Sequence, residues 1–222
     1  MEIFADTSDI DEIQKLWDGG LIQGVTTNPS IIAKQYGTTN NWHNVIKEIC
    51  HIVNGPISAE VTSSEVGEMV QEGKELAELH ERVVVKLPCT PDGVHACKVL
   101  TTYMDIRVNM TLCFSVAQAV LASNAGASFI SPFIGRMDDV YHSGVKLVED
   151  IQNAYLNDMN KAPKILAASI RTVEHLNQVA QYADIATCPP KIIWKAFEHN
   201  LTVSGLKKFI DDWNKVNEKQ IG

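Results

Sequence analysis

Val83-Val84-Val85-Lys86-Leu87-Pro88 is a run of β-branched and apolar residues broken by a single charge. Such a run, bounded by turn-forming residues, reads as a strand buried on both faces. Comparable runs recur along the chain at Glu2–Asp6, Gly24–Asn28, Ile57–Val61, Arg107–Cys113, Phe129–Ile134, Lys164–Ser169 and Asp184–Cys188, which with Val83–Leu87 makes eight expected strands. Helical signals lie between them. Ser8 and Asp9 can cap the first helix, Thr38 to Asn40 the second, and Ser63 and Ser64 the third. Thr90-Pro91-Asp92 opens the next, with proline where a missing N–H costs nothing. Met69, Leu76 and Leu79 form one apolar stripe, and Val116, Ala119, Val120 and Ala127 another. A last amphipathic helix is expected over residues 202–217, with Leu206, Phe209, Ile210 and Trp213 at helical spacing. It has two possible seats, its own domain or a neighbouring subunit. Strict alternation of strand and helix predicts a parallel sheet covered by helices. Eight such units in 222 residues predict an α/β fold, a single (β/α)8 TIM barrel over residues 1–222 with that helix added. The alternative, an open doubly wound sheet, would be expected to carry a glycine-rich first turn, and neither G-x-G-x-x-G nor G-x-x-x-x-G-K-[ST] occurs.

Composition narrows the function. A net charge of −8 disfavours non-specific nucleic-acid binding, because the chain would repel phosphate backbones. Five cysteines, an odd count without C-x-x-C spacing, argue against a disulfide framework or a structural zinc site. The start, MEIFADTSDI, lacks the basic and apolar regions of a signal peptide, and no run reaches the length of a membrane span, so the cytoplasm is the expected compartment. None of the seven histidines falls at an expected strand end or in H-x-H or H-E-x-x-H, so no metal site is expected and they read as solvated helix positions. Met69, Met104 and Met110 read as core filler.

In a barrel of this kind the reacting groups sit at the C-terminal ends of the strands. The polar residues placed there are Asp6, Thr26, Asn28, Glu60, Lys86, Asn109, Thr111, Ser131, Ser169 and, just beyond, Arg136 and Arg171. Thr26/Asn28, Asn109/Thr111, Ser131/Phe133 and Ser169/Arg171 are two apart, so each pair can share one face of its strand. Lys86 stands where a core strand would place an apolar residue. It could snorkel to water, or, if desolvated beside carboxylates, supply the neutral amine that attacks a carbonyl. Asp6 can be such a carboxylate or a helix cap; Glu60, on an otherwise apolar strand, is harder to assign to a cap. Arg136 and Arg171 suggest a phosphate clamp in an acidic chain, the plainer reading being ion pairs with Asp138 or Asp139.

At these residues the sequence resembles the transaldolase family, in its short bacterial branch. The resemblance is carried in order by FADTSDI (4–10), GVTTNPSII (24–32), SAEV (58–61), VVVKLP (83–88), NMTLCFSVAQA (109–119), AGASFISPFIGRMDD (125–139), ILAASIRT (165–172) and Pro189-Pro190. It implies cofactor-free and metal-free aldol chemistry on sugar phosphates in the pentose phosphate pathway, with a Schiff base on Lys86. Asp6 would move the proton of the hydroxyl at the cleaved bond, and Glu60 would act with Thr111 through a held water. Asn28, Asn109 and Ser131 would bind the dihydroxyacetone unit, with Thr26 and Phe133 in the same site, while Arg136, Ser169 and Arg171 would hold the phosphate. Fructose-6-phosphate aldolase, a close relative, carries Gln in place of Glu60 and Tyr in place of Phe133 and lacks Ser131, so the resemblance is to the transferase. Ile170 departs from the Phe of many relatives. Relatives in this branch form rings, often decamers, through the terminal helix, which implies a homo-oligomer with no nucleic-acid or membrane partner.

Overall fold

The computed structural model describes residues 1–37, 42–156 and 162–220. Its strands are β1 (Glu2–Asp6), β2 (Gly24–Thr26), β3 (Ile57–Glu60), β4 (Val83–Pro88), β5 (Val108–Cys113), β6 (Phe129–Pro132), β7 (Lys164–Ala167) and β8 (Ile185–Cys188). Each pairs in parallel with the next, and β8 returns to β1, so the sheet is a closed eight-stranded barrel as expected. Its helices are α1 (Ile10–Asp18), α2 (Pro29–Tyr36), α3 (Trp42–Ile52), α4 (Val66–Ala77), α5 (Pro91–Met104), α6 (Val116–Asn124), α7 (Ile134–Asp138), α8 (Gly144–Tyr155), α9 (Val173–Val179), α10 (Pro190–Lys195) and α11 (Asn200–Gln220).

Successive side chains of a strand point to opposite faces, and the core divides accordingly. Ala5, Val25, Ile57, Ala59, Val85, Leu87, Met110 and Ala186 point outward and belong to the large cluster between barrel and helices. Phe4, Val84, Phe129, Leu166 and Ile185 form a separate buried cluster inside the barrel. One inward step further along β1, β4, β6 and β8 stand Asp6, Lys86, Ser131 and Thr187. The apolar cluster is thus a floor, and the polar layer lies directly above it at the C-terminal mouth. Phe4 reaches the barrel axis because its partner across β1 and β2 is Gly24, where a Cβ would fall 2.6 Å from the Phe4 ring.

Local chemistry sets the helix starts. Asp9 accepts from Glu12 N, Asn28 from Ile31 N, Thr90 from Gly93 N and Ser115 from Gln118 N, each holding an otherwise unpaired N–H of a first turn. The expected cap at Ser63/Ser64 does not form. Glu65 occupies the N-cap of α4 without a side-chain bond, and Ser63 instead donates to Glu72 further along that helix. The cap expected at Thr38 to Asn40 lies outside the described residues. Gly24–Asn28 is shorter than expected as a strand, because Asn28 turns to cap α2. The strand expected to reach Ile134 ends at Pro132, and α7 begins at once. Met69 and Met110 are buried as expected, but Met104 is 40 % exposed at the end of α5, and Val120 of the α6 stripe is equally open. On α11, Leu206, Phe209, Ile210 and Trp213 are each more than half exposed, so this helix does not seat its apolar face on its own barrel. Among the described residues no helix is long and apolar enough to cross a membrane.

Gly24→Ala should lower stability by about 2 kcal/mol through overpacking against Phe4. The midpoint of urea unfolding reads this, and Phe4→Leu in the same chain should recover part of the loss.

Candidate active site

Asp6, Thr26, Asn28, Lys86, Ser131, Phe133, Arg136 and Ser169 line one cavity of about 150 Å³ at the mouth of the barrel. Eight of the residues singled out in the sequence therefore meet in one place. Lys86 points inward in register with Val84 and is only 4 % exposed, which removes the snorkelling alternative. Its Nζ lies 2.9 Å from Glu60 Oε2 and donates to the Thr27 carbonyl at 3.3 Å. Glu60 faces Lys86 directly across β3 and β4, so the pair is set by register. A buried ammonium needs such a partner, because an unpaired one carries a large desolvation cost.

Asp6 does not cap α1, a role taken by Asp9. Its carboxylate instead accepts from Thr26 Oγ1 at 2.7 Å, and Thr26 Oγ1 is also 2.7 Å from Thr187 Oγ1. Burial pushes the Asp6 carboxyl above its ordinary value; the charge on Lys86 and the bond from Thr26 pull it down, and the charge on Glu60 adds to the rise. On the other side of Lys86, Ser131 Oγ donates to Asn109 Oδ1 at 2.8 Å, and Asn109 Nδ2 donates to Ser58 Oγ at 3.1 Å. Asn109 reaches the site through that chain. Thr111, two residues on, is buried with its hydroxyl unpaired among the described residues. The next residue, Leu112, has φ 55°, and the pairing of β5 with β6 shifts register there. Phe133 caps α7 without a side-chain bond and packs edge-on to Phe114, ring centroids 5.9 Å apart.

The two arginines part company. Arg136, on α7, lines the mouth, with Ser169 beside it in the left-handed region at φ 58°, a conformation that costs a non-glycine residue about 1 kcal/mol or more. Arg171 passes over Gly135, where a Cβ would fall 2.5 Å from its Nε, and forks onto Asp139 with Nη2 to Oδ2 at 2.6 Å. The plainer ion-pair reading therefore holds for Arg171, and its hydrogen bonds hold the Asp139 carboxyl below its ordinary value. His175 is not a solvated helix position: its Nε2 lies 3.1 Å from Asp138 Oδ2. Among the described residues no group of three or more His, Cys, Asp or Glu side chains gathers as metal donors. Sequence reasoning missed Thr187 and Ser58. Both are small polar residues at inward positions of apolar strands, a signal that register supplies and composition does not. A second, more apolar cavity of about 190 Å³, lined by Pro29, Ile32, Trp42 and Glu60, shares Asn28 with the first.

Asp6 has a folded-state pKa above its unfolded one, so the folded chain holds the extra proton and loses stability as pH rises through that window. Asp6→Asn removes this cost. It should melt above the parent at pH 7, with the gap closing as pH falls below the unfolded-state value near ~3.9; scanning calorimetry over pH 3–8 measures it.

The family model described as Transaldolase/Fructose-6-phosphate aldolase matches residues 3–221. A probable transaldolase of Roseobacter denitrificans is 51% identical over 220 residues, covering 99% of each chain. One from Dinoroseobacter shibae is 50% identical over the same length and coverage, and one from Bacteroides thetaiotaomicron is 48% identical, covering 98% of this chain and all of its own. Among solved structures, thiamine phosphate pyrophosphorylase from Pyrococcus furiosus superposes with a TM-score of 0.60 over 86% of this chain and 87% of its own, at 11% identity, a likeness of fold alone. With eight parallel strands closed around a buried lysine, and relatives near half identity along the whole chain, the protein belongs to the transaldolase/fructose-6-phosphate aldolase family.

Proposed function

We propose that the protein is a transaldolase that moves a dihydroxyacetone unit from a ketose phosphate, fructose 6-phosphate or sedoheptulose 7-phosphate, to an aldose phosphate, a step of the pentose phosphate pathway. The observation that carries this reading is Lys86, buried at the floor of the mouth with Glu60 at 2.9 Å and with Arg136 and Ser169 at the rim. Lys86 Nζ adds to the ketose C2 carbonyl, and loss of water leaves an iminium. Glu60 takes and returns protons in these steps through a water shared with Thr111, whose unpaired hydroxyl supports that role. Asp6 takes the proton of the C4 hydroxyl as the C3–C4 bond breaks. The bonding pair flows toward the iminium nitrogen to give an enamine, and an aldehyde leaves. The enamine carbon then attacks the acceptor aldehyde, Asp6 returns a proton to the new alkoxide, and hydrolysis frees Lys86. Asn28, Asn109 and Ser131 hold the three-carbon unit, with Thr26 and Phe133 beside it. Phe133 has no hydroxyl to protonate the enamine, and this favours transfer over release of free dihydroxyacetone by an aldolase. The exposed apolar face of α11 supports a homo-oligomer of this chain.

Borohydride added with fructose 6-phosphate should leave a dihydroxyacetone-sized addition on Lys86 in a mapped digest. Binding of the sugar without any adduct would overturn the imine mechanism.

The phosphate falls to Arg136, Ser169 and Arg171, and it meets a competitor. Both Nη atoms of Arg171 are engaged by Asp139, so a phosphate that forks onto them displaces the carboxylate. Asp139→Asn should lower KM for fructose 6-phosphate by about two- to five-fold, the worth of an exposed ion pair. Steady-state kinetics should show no such gain for unphosphorylated fructose.

A further inference from the structure

Asp6 must hold a proton for part of each cycle and release it in the other part. The charged and titratable groups around it are Lys86 on β4 and Glu60 on β3, with Cys188 behind it on β8, Arg136 at the rim, and Lys34 and Lys191 in a further cavity that Asp6 also lines. Lys86 can only donate a hydrogen bond, so it favours the carboxylate. The neutral acid needs an acceptor, and the partner in reach is Thr26 Oγ1, 2.7 Å from Asp6 Oδ1. Thr26 is 1 % exposed, and its hydroxyl carries one proton, which already serves the carboxylate. Thr187, 3 % exposed and 2.7 Å beyond, relieves this limit.

Two arrangements satisfy the chain. With Asp6 ionised, Thr187 donates to Thr26 and Thr26 donates to Asp6. With Asp6 protonated on Oδ1, the acid donates to Thr26, Thr26 turns its proton to Thr187 Oγ1, and Thr187 turns its own toward the cavity that it lines. The hydroxyls rotate, and neither threonine O–H bond breaks. The proton gained by Asp6 comes from the substrate C4 hydroxyl onto the carboxylate oxygen that Thr26 does not hold; a half-turn about Cβ–Cγ presents it to Thr26, and the reverse turn returns it to the hydroxyl made in the second half of the cycle. A valine at 187 has Thr187's shape without its oxygen. The ionised state would survive it, but in the acid state the Thr26 proton would be left buried without an acceptor, which costs the full desolvation of that group.

We propose that Thr187 is a positioning residue for proton transfer, acting through Thr26 by reversing a two-hydroxyl chain so that both protonation states of Asp6 are hydrogen-bonded. The proposal rests on the role given to Asp6 above.

The test compares Thr187→Val and Thr187→Ser with the parent. Borohydride trapping with dihydroxyacetone, which forms the imine without cleaving a carbon–carbon bond, should label Lys86 equally in all three. In the valine variant kcat for transfer from fructose 6-phosphate should fall about ten-fold, a fraction of what a proton-transfer group supplies, with KM within two-fold. Its acidic limb should move down by about one pH unit, because the acid form of Asp6 is penalised. Serine should restore both kcat and the acidic limb. Carbon NMR of the Asp6 carboxyl in the ligand-free protein gives the same titration without reference to turnover, and there too the valine variant should titrate lower and the serine variant like the parent. An unchanged Asp6 titration in the valine variant, or a serine variant as impaired as the valine one, would overturn the proposal. A parent that gives no adduct would sink the reading of Lys86, and the Asp6 titration would still decide the hydroxyl pair.

Discussion

Closing eight parallel strands into a barrel forces every second side chain of each strand into one shared interior, and this constraint governs the rest of the molecule. The interior must be filled to near-crystal density, and any polar group sent into it must find a partner. The chain meets the first demand with Phe4, Phe129, Leu166, Ile185 and Val84, and makes room for the largest of them by leaving Gly24 without a side chain. It meets the second one step higher, where Lys86, Glu60, Asp6, Thr26, Asn109, Ser131 and Thr187 bond to one another or to the backbone, while the Thr111 hydroxyl is left unpaired among the described residues. Fold and site are two layers of one packing problem.

The polar layer is held against the grain of stability. An acidic carboxyl pushed up by burial, a buried ion pair and a serine in a left-handed conformation each cost folding energy that an apolar layer would not. Stability lost at a site is a common accompaniment of activity. Here the cost is contained, because the large apolar cluster outside the barrel is separate from the layer that bears it.

Much of this was legible in the chain because strand faces alternate strictly. Once VVVKLP is a strand, Lys86 must oppose Val85 and Leu87, and the inward direction follows for every polar residue two positions from an inward apolar one. Errors gather where alternation stops. Asn28 leaves the strand because its side chain is better used on the Ile31 N–H. The chain turns into α7 at Ile134, and the one mark of the stop is Pro132, which cannot donate to the ladder and sits inside an otherwise strand-like run. An ion pair with Asp138 or Asp139 was open to either arginine, and what assigns it to Arg171 is Gly135 of α7 lying beneath the guanidinium, a three-body contact that no spacing rule encodes. Thr187 was passed over for a related reason: one threonine in an apolar strand carries meaning only once Thr26 is known to stand 2.7 Å away.

The apolar floor also bears on the order of events. Phe4, Phe129, Leu166 and Ile185 fill the barrel beneath Lys86, so the mouth is a shared doorway. In the reaction proposed here, the first aldehyde has to vacate that doorway before the second can come in. Leaving product and arriving acceptor, both phosphorylated, take turns at Arg136 and Ser169. Such a route imposes a substituted, ping-pong sequence on turnover, with the three-carbon fragment parked on the lysine between visits. An excess of acceptor would crowd the entrance ahead of the donor and slow the cycle it is meant to complete.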